Sequence, residues 1–263
     1  PAGHRRRDAG MSAPVAYPKG TAKALSRSLR VYYGDAARNA AMDALYGRFL
    51  KPRDLAFDIG SHVGDRISSF RRLGARVVAL EPQPGPARAI RLIHGRDPDV
   101  TLIEAACGDS EGSLTLRINS ANPTVSTASE AFVGAARDAQ GWREQVWDRE
   151  IAVPSTTLDK LICAHGMPAL AKIDVEGFEA HVLAGLTKAI PVISFEFTTI
   201  QREVAEACLA ILETLGRYRF NVALGESQRF ELAGNASAEA MGEFLRALPH
   251  DANSGDVYAV LES

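Results

Sequence analysis

The sequence predicts an α/β domain, doubly wound around a mostly parallel sheet. Four short apolar runs each lead into a carboxylate: Leu55-Ala56-Phe57-Asp58, Val77-Val78-Ala79-Leu80-Glu81, Leu170-Ala171-Lys172-Ile173-Asp174 and Val192-Ile193-Ser194-Phe195-Glu196. Runs this short, with helical patterns between them, read as strands buried on both faces. A glycine turn, Gly60 to Gly64, follows the first run directly. In such a sheet a ligand lies beyond the carboxyl ends of the strands, where strand order reverses. Four acids at that end make a rim suited to something polar or cationic.

The elements follow in order along the chain. Residues 1–20 are expected to be a disordered tail, with Met11 a candidate native start. Residues 21–53 form a helical arm, and residues 54–263 form the main domain with a long insertion at 119–152. A helix over 35–50 places Met42, Leu45, Tyr46 and Phe49 on one face. The helix opened by the glycine turn carries Val63, Ile67 and Phe70 and stops at Gly74. After the second strand, Pro82 breaks the chain and a helix runs through Ala87, Ile90, Leu92 and Ile93. A third strand spans 100–106, and 112–118 alternates like an exposed strand. Residues 119–152 are polar and irregular and hold the only two tryptophans, Trp142 and Trp147; so long a segment is usually functional or disordered. A short helix covers 156–162. Past Glu196, Val204, Cys208, Ile211, Leu212 and Leu215 mark an amphipathic helix. Strand candidates at 218–224 and 256–261 flank a helix near 238–248, capped by Ser237.

Bulk properties exclude several classes. The chain has 263 residues, 46% hydrophobic, with a formal net charge of −2. That suits one large domain and leaves no electrostatic footprint for nucleic acid. No apolar run reaches membrane-spanning length. The Arg5-Arg6-Arg7 cluster precedes no apolar stretch, so it is not a secretory signal. Cys107, Cys163 and Cys208 lack metal or redox spacing. They read as reduced thiols of a cytoplasmic protein. A homodimer is compatible with the sequence but not required by it.

The turn reads Asp58-Ile59-Gly60-Ser61-His62-Val63-Gly64. A dinucleotide fingerprint starting at Gly60 fails at His62 and Asp65, and no phosphate-binding Gly-Lys-Ser/Thr is present. Glu81 ends the second strand 23 residues after Asp58, where an acid can accept both hydroxyls of a ribose. The ligand expected is a nucleoside without a pyrophosphate cradle.

These residues carry a resemblance. Asp58-x-Gly60-x-x-x-Gly64, Leu80-Glu81-Pro82, Cys107-Gly108-Asp109-x-x-Gly112, Thr157-Leu158-Asp159 and Lys172-Ile-Asp174-Val-Glu176-Gly177-Phe-Glu179 resemble the FkbM family of class I S-adenosylmethionine-dependent methyltransferases, over about residues 54 to 197. The resemblance implies a seven-stranded, Rossmann-like sheet with a reversed C-terminal strand, and O-methylation of a hydroxyl on a small molecule or glycan. It also implies that Asp58, Gly60, Ser61 and Gly64 hold the methionine end of the cofactor. Glu81 and Pro82 would lie at the ribose, Ala106, Cys107 and Asp109 along the adenine, and Asp174 at the sulfonium side. His62 stands where many methyltransferases have glycine, so the cofactor must pass its side chain or touch it.

A hydroxyl acceptor needs its proton removed as it attacks. Asp174, Glu176 and Glu196 are the candidate bases, and Lys172, on the same strand face as Asp174, is their candidate partner. Asn122, Thr124 and Ser126 are candidates to bond a polyhydroxylated acceptor beneath a cover formed by 119–152. Mg²⁺ at the acids is compatible with the residue types but is not demanded by their spacing. Two other readings stay open: a non-catalytic cofactor-binding module, and a nicotinamide-dependent oxidoreductase, against which the failed glycine pattern and a missing Tyr-x-x-x-Lys weigh.

Overall fold

The computed structural model describes residues 21–262; the expected tail at 1–20 lies outside them. The chain runs α1 (Thr21–Gly34), α2 (Ala36–Tyr46), β1 (Leu55–Ile59), α3 (Asp65–Arg72), β2 (Arg76–Leu80), α4 (Pro84–His94), β3 (Val100–Ile103), β4 (Ala106–Cys107), β5 (Gly112–Ile118), α5 (Glu130–Asp138) and β6 (Arg149–Thr156). It continues with α6 (Leu158–His165), β7 (Leu170–Ile173), α7 (Glu179–Ala184), β8 (Val192–Thr198), α8 (Arg202–Leu215), β9 (Tyr218–Leu224), α9 (Ala238–Ala247) and β10 (Ser254–Leu261).

The main sheet has the order β3-β2-β1-β7-β8-β10-β9. Its pairs are parallel except where β10 runs against β8 and β9. Strand order reverses between β1 and β7, so the cleft opens at their carboxyl ends. A second sheet, β4-β6-β5, lies beside it.

Strand residues alternate between two cores, as the two-residue period dictates. Leu55, Phe57 and Ile59 of β1 join Val78, Leu80, Phe195 and Leu212 on one face. Ala56, Val77, Ala79 and Tyr258 join Met42, Tyr46 and Phe70 on the other. By the same period Asp58, Lys172, Glu196 and Asp256 fall on the second face, and the charged layer of the site forms there.

Several local expectations change. Asp35 is the N-cap of α2, its side chain accepting from the Arg38 N–H at 3.0 Å. Leu92 is 78% exposed and Ile93 is also exposed, while Ala87 and Ile90 pack inward. The strand expected over 100–106 divides, because Ala106 and Cys107 leave the main sheet to pair with Ser155 and Thr156. Residues 149–156 are extended for the same reason, so the next helix begins only at Leu158, after the Thr157 cap. The insertion is not irregular. It contains α5 and a small core of Val125, Phe132, Ala136 and Trp142. Trp142 bonds Asn253 and Trp147 bonds the Val125 carbonyl, so both indoles bury their rings with the N–H satisfied.

Candidate active site

The glycine turn is shaped by close backbone approach. Gly60 has φ +86°, and a Cβ there would land on the Asp174 carbonyl, so only glycine lets β1 and β7 end side by side. The Gly60 and Ser61 amides donate to Leu80 O at 3.0 and 2.9 Å. Glu81 closes the turn: its carboxylate accepts from the amides of His62 at 2.8 Å and Gln83 at 2.7 Å. Burial nevertheless pushes Glu81 up to about 8, the two amides opposing it. Leu80, Pro82, Ala106, Cys107, Leu116 and Phe178 line an apolar slot beside it. Burial raises the Cys107 thiol to about 12, so it packs rather than reacts.

The opposite wall is ionic. Lys172 is fully buried and donates to Ile173 O at 3.3 Å and Asp174 Oδ2 at 3.1 Å, with Asp256 Oδ1 at 2.9 Å. Two of the ammonium's three protons are hydrogen-bonded, and Asp256 adds an ion pair. Arg66 Nη2 lies 3.0 Å from Asp174 Oδ2 and 3.9 Å from Asp256 Oδ2. Burial favours protonation of Asp174, but Lys172 and Arg66 outweigh it and hold the carboxyl below its ordinary range. Glu176 and Glu196 move the other way. Burial and then the Asp174 charge push both well above the usual carboxylate range. Oxygens of Asp174, Glu176 and Glu196 lie within 4.8 Å of one another.

The roof comes from α1, the turn and the insertion. Tyr32 meets His62 edge-on, with ring centroids 5.7 Å apart. His62 adopts φ +46° and reaches Thr124 Oγ1 at 3.4 Å. Its desolvated ring is held down at about 4, so it is neutral at physiological pH. Arg38 ties the arm to the rim, bonding Asp65 at 2.9 Å and Glu226 at 2.8 Å.

The cleft brings together Gly60, His62, Glu81, Pro82, Ala106, Cys107, Thr124, Ser126, Asp174, Glu176 and Glu196. Six expected site residues do not line it. Asp58 is fully buried opposite Lys172, one register step below the cleft floor, with neither carboxyl oxygen hydrogen-bonded. Ser61 bonds the Asp58 carbonyl and Gly64 caps α3 against Ile90 and His94; both shape the turn. Asp109 points to solvent and pairs with Ser110. Asn122 donates to Gln145. Lys172 stands behind the wall, paired with Asp174 and Asp256. Glu196 is not at its strand's end, since β8 continues to Thr198. Arg66, Asp256, Tyr32 and Glu226 line the cleft without having been expected. Asp256 carried a signal: it is an acid abutting an apolar run, but it precedes the run because β10 is reversed.

The model of the methyltransferase FkbM domain matches residues 58–246. The chain belongs to the FkbM methyltransferase family. It is an S-adenosylmethionine-dependent methyltransferase. This FkbM protein resembles solved structures at low identity. One is a precorrin-6y C5,15-methyltransferase from Geobacter metallireducens, at 16% identity over 85% of this chain and 87% of that one, TM-score 0.43. Another is a TehB-like SAM-dependent methyltransferase from Corynebacterium glutamicum, at 10% over 90% and 94%, TM-score 0.45. A third is an O-methyltransferase from Bacillus cereus in complex with SAH, at 12% over 94% of each chain, TM-score 0.42. No curated protein matches the sequence. Among the described residues no helix is long and apolar enough to cross a membrane.

Proposed function

We propose that this FkbM methyltransferase methylates a hydroxyl oxygen of a small molecule or glycan. The observation that carries the reading is the pair Glu176 and Glu196, raised in proton affinity beside an Asp174 that stays ionised. Environments that push neighbouring acids apart assign acid and base roles.

The residues fit the cofactor. Glycine at position 60 lets the ends of β1 and β7 close up at the floor of the cleft, where a Cβ would strike the Asp174 carbonyl. Glu81, with two lone pairs per oxygen, retains acceptor capacity for ribose hydroxyls while holding its two amides. The slot of Ala106, Cys107 and Phe178 suits a flat, apolar base. When bound, S-adenosylmethionine supplies a methyl group on a sulfonium. Asp174, held ionised by Lys172 and Arg66, would offer that positive charge a counter-charge. Thr124 and Ser126 offer hydroxyls to orient the acceptor. Glu176 or Glu196 would take the acceptor hydroxyl's proton as that oxygen is methylated. Alignment and proton removal together supply the acceleration.

The test is methyl transfer to a panel of hydroxylated acceptors. Glu176→Gln and Glu196→Gln should keep cofactor affinity, and at least one should lose on the order of 10²-fold in turnover. Normal turnover in both, with Asp174→Ala inactive, contradicts the base assignment. A methylated amine or carboxyl ester as the product contradicts the oxygen assignment.

A further inference from the structure

The charges at the floor of the cleft do not balance. Asp174 and Asp256 are matched by Lys172 and Arg66. Glu179 is satisfied differently, accepting from the amides of Val175 and Gly177. Glu176 and Glu196 are left without a cation. Glu176 is 6% exposed and receives no hydrogen bond on its carboxylate among the described residues. Glu196 Oε2 is shut off from solvent and has no donor. Asp174 spends Oδ2 on both cations. A buried carboxyl oxygen without a donor is costly, and Glu196 brings one against Glu176 and Asp174.

We propose that Asp174, Glu176 and Glu196 form a binding site for one divalent, oxygen-preferring cation of the Mg²⁺ or Mn²⁺ type. The donor set is carboxylate only, the chemistry of a hard cation. Two positive charges match the two uncompensated glutamates. The oxygens lie within 4.8 Å of one another. Ligands about 2.1 Å from a shared ion can be no more than about 4.2 Å apart, so the rim closes on the ion by about half an ångström. Three protein oxygens leave octahedral positions for water and for the acceptor's hydroxyl. The inference therefore deepens the proposed O-methylation and rests on it for the ion's purpose. Each glutamate has a second oxygen, so ligation leaves one free to take the acceptor's proton.

The probe is Mn²⁺ alone, titrated into the full chain with and without S-adenosylhomocysteine and followed by the loss of free-ion signal in electron paramagnetic resonance. One ion should bind per chain at sub-millimolar concentration. Glu176→Gln and Glu196→Gln should each weaken it on the order of tenfold or more, with thermal melts confirming that the variants are folded. Glu203→Gln, on the exposed side of α8, should bind like the parent. Absence of uptake at millimolar Mn²⁺ in both arms overturns the site, and so does uptake that neither substitution alters. Binding of Mn²⁺ without methyl transfer to any hydroxyl leaves the site standing and removes the O-methylation reading.

Discussion

On the β1–β2 side of the cleft, the polar groups that shape the wall are tied to backbone. Glu81 holds the amides of His62 and Gln83, and Gly60 and Ser61 hold the Leu80 carbonyl. On the β7–β8 side the wall is side chain against side chain: Lys172, Arg66, Asp174 and Asp256 neutralise one another, and Glu176 and Glu196 are left over. The first wall is a shape and the second is a charge distribution. Shape suits recognition of a fixed cofactor. An unbalanced charge distribution is what a reaction that moves a proton needs.

The comparison is broken most directly at Lys172. Lys172→Met keeps the volume but leaves Asp174 and Asp256 short of a counter-ion in a buried layer. We expect a loss of about 3–5 kcal/mol in denaturant unfolding, the usual scale for removing one partner of a buried pair. A loss below 1 kcal/mol would mean the ionic wall does not depend on its lysine. Gly60→Ala tests the other wall. The new methyl must displace the Asp174 carbonyl from a positive-φ position, at a cost of roughly 1–3 kcal/mol in strain, with weakened cofactor binding. Stability and binding equal to the parent would show that the turn tolerates a side chain.

A smaller effect separates the walls by pH. Burial raises Asp58 to about 6, with Arg66 and the Ser61 contact opposing, against an ordinary value of 3.8. A raised carboxyl favours folding most while protonated. Its contribution is complete below about pH 4 and is lost as the pH climbs through about 6. Melting temperature should therefore fall across that window, and Asp58→Asn should flatten the fall. An unchanged slope would show that Asp58 titrates normally.

The two walls also differed in how far they could be read from sequence. The turn and Glu81 were legible because their chemistry is local: glycines at fixed spacing, then an acid at the next strand's end. The seven-stranded sheet and its reversed C-terminal strand came from the family motifs together with the two late strand candidates. The ionic wall joins Lys172, Asp174 and Glu196, whose places along the apolar runs were legible, to Arg66 and Asp256, which no spacing connects to them. Arg66 sits among other arginines on a helix, and only the fold shows that it faces inward. Asp256 escaped because its strand is antiparallel, which places the acid before the apolar run. Asp58 misled in the opposite sense. It ends a run as Asp174 does and shares its face, yet it pairs in register with Lys172, one step short of the cleft. The order within 119–152 was hidden because its small core draws on Ile200 and its tether on Asn253, both distant in sequence.

The central claim is that the backbone-tied wall holds a nucleoside cofactor with its ribose on Glu81. Calorimetry with S-adenosylhomocysteine on the parent and on folded Glu81→Ala tests it most directly. The account predicts measurable binding by the parent, none of NAD, and a loss of roughly 1–3 kcal/mol in the variant, the scale of hydrogen bonds to a charged group. Affinity unchanged by the substitution would contradict it.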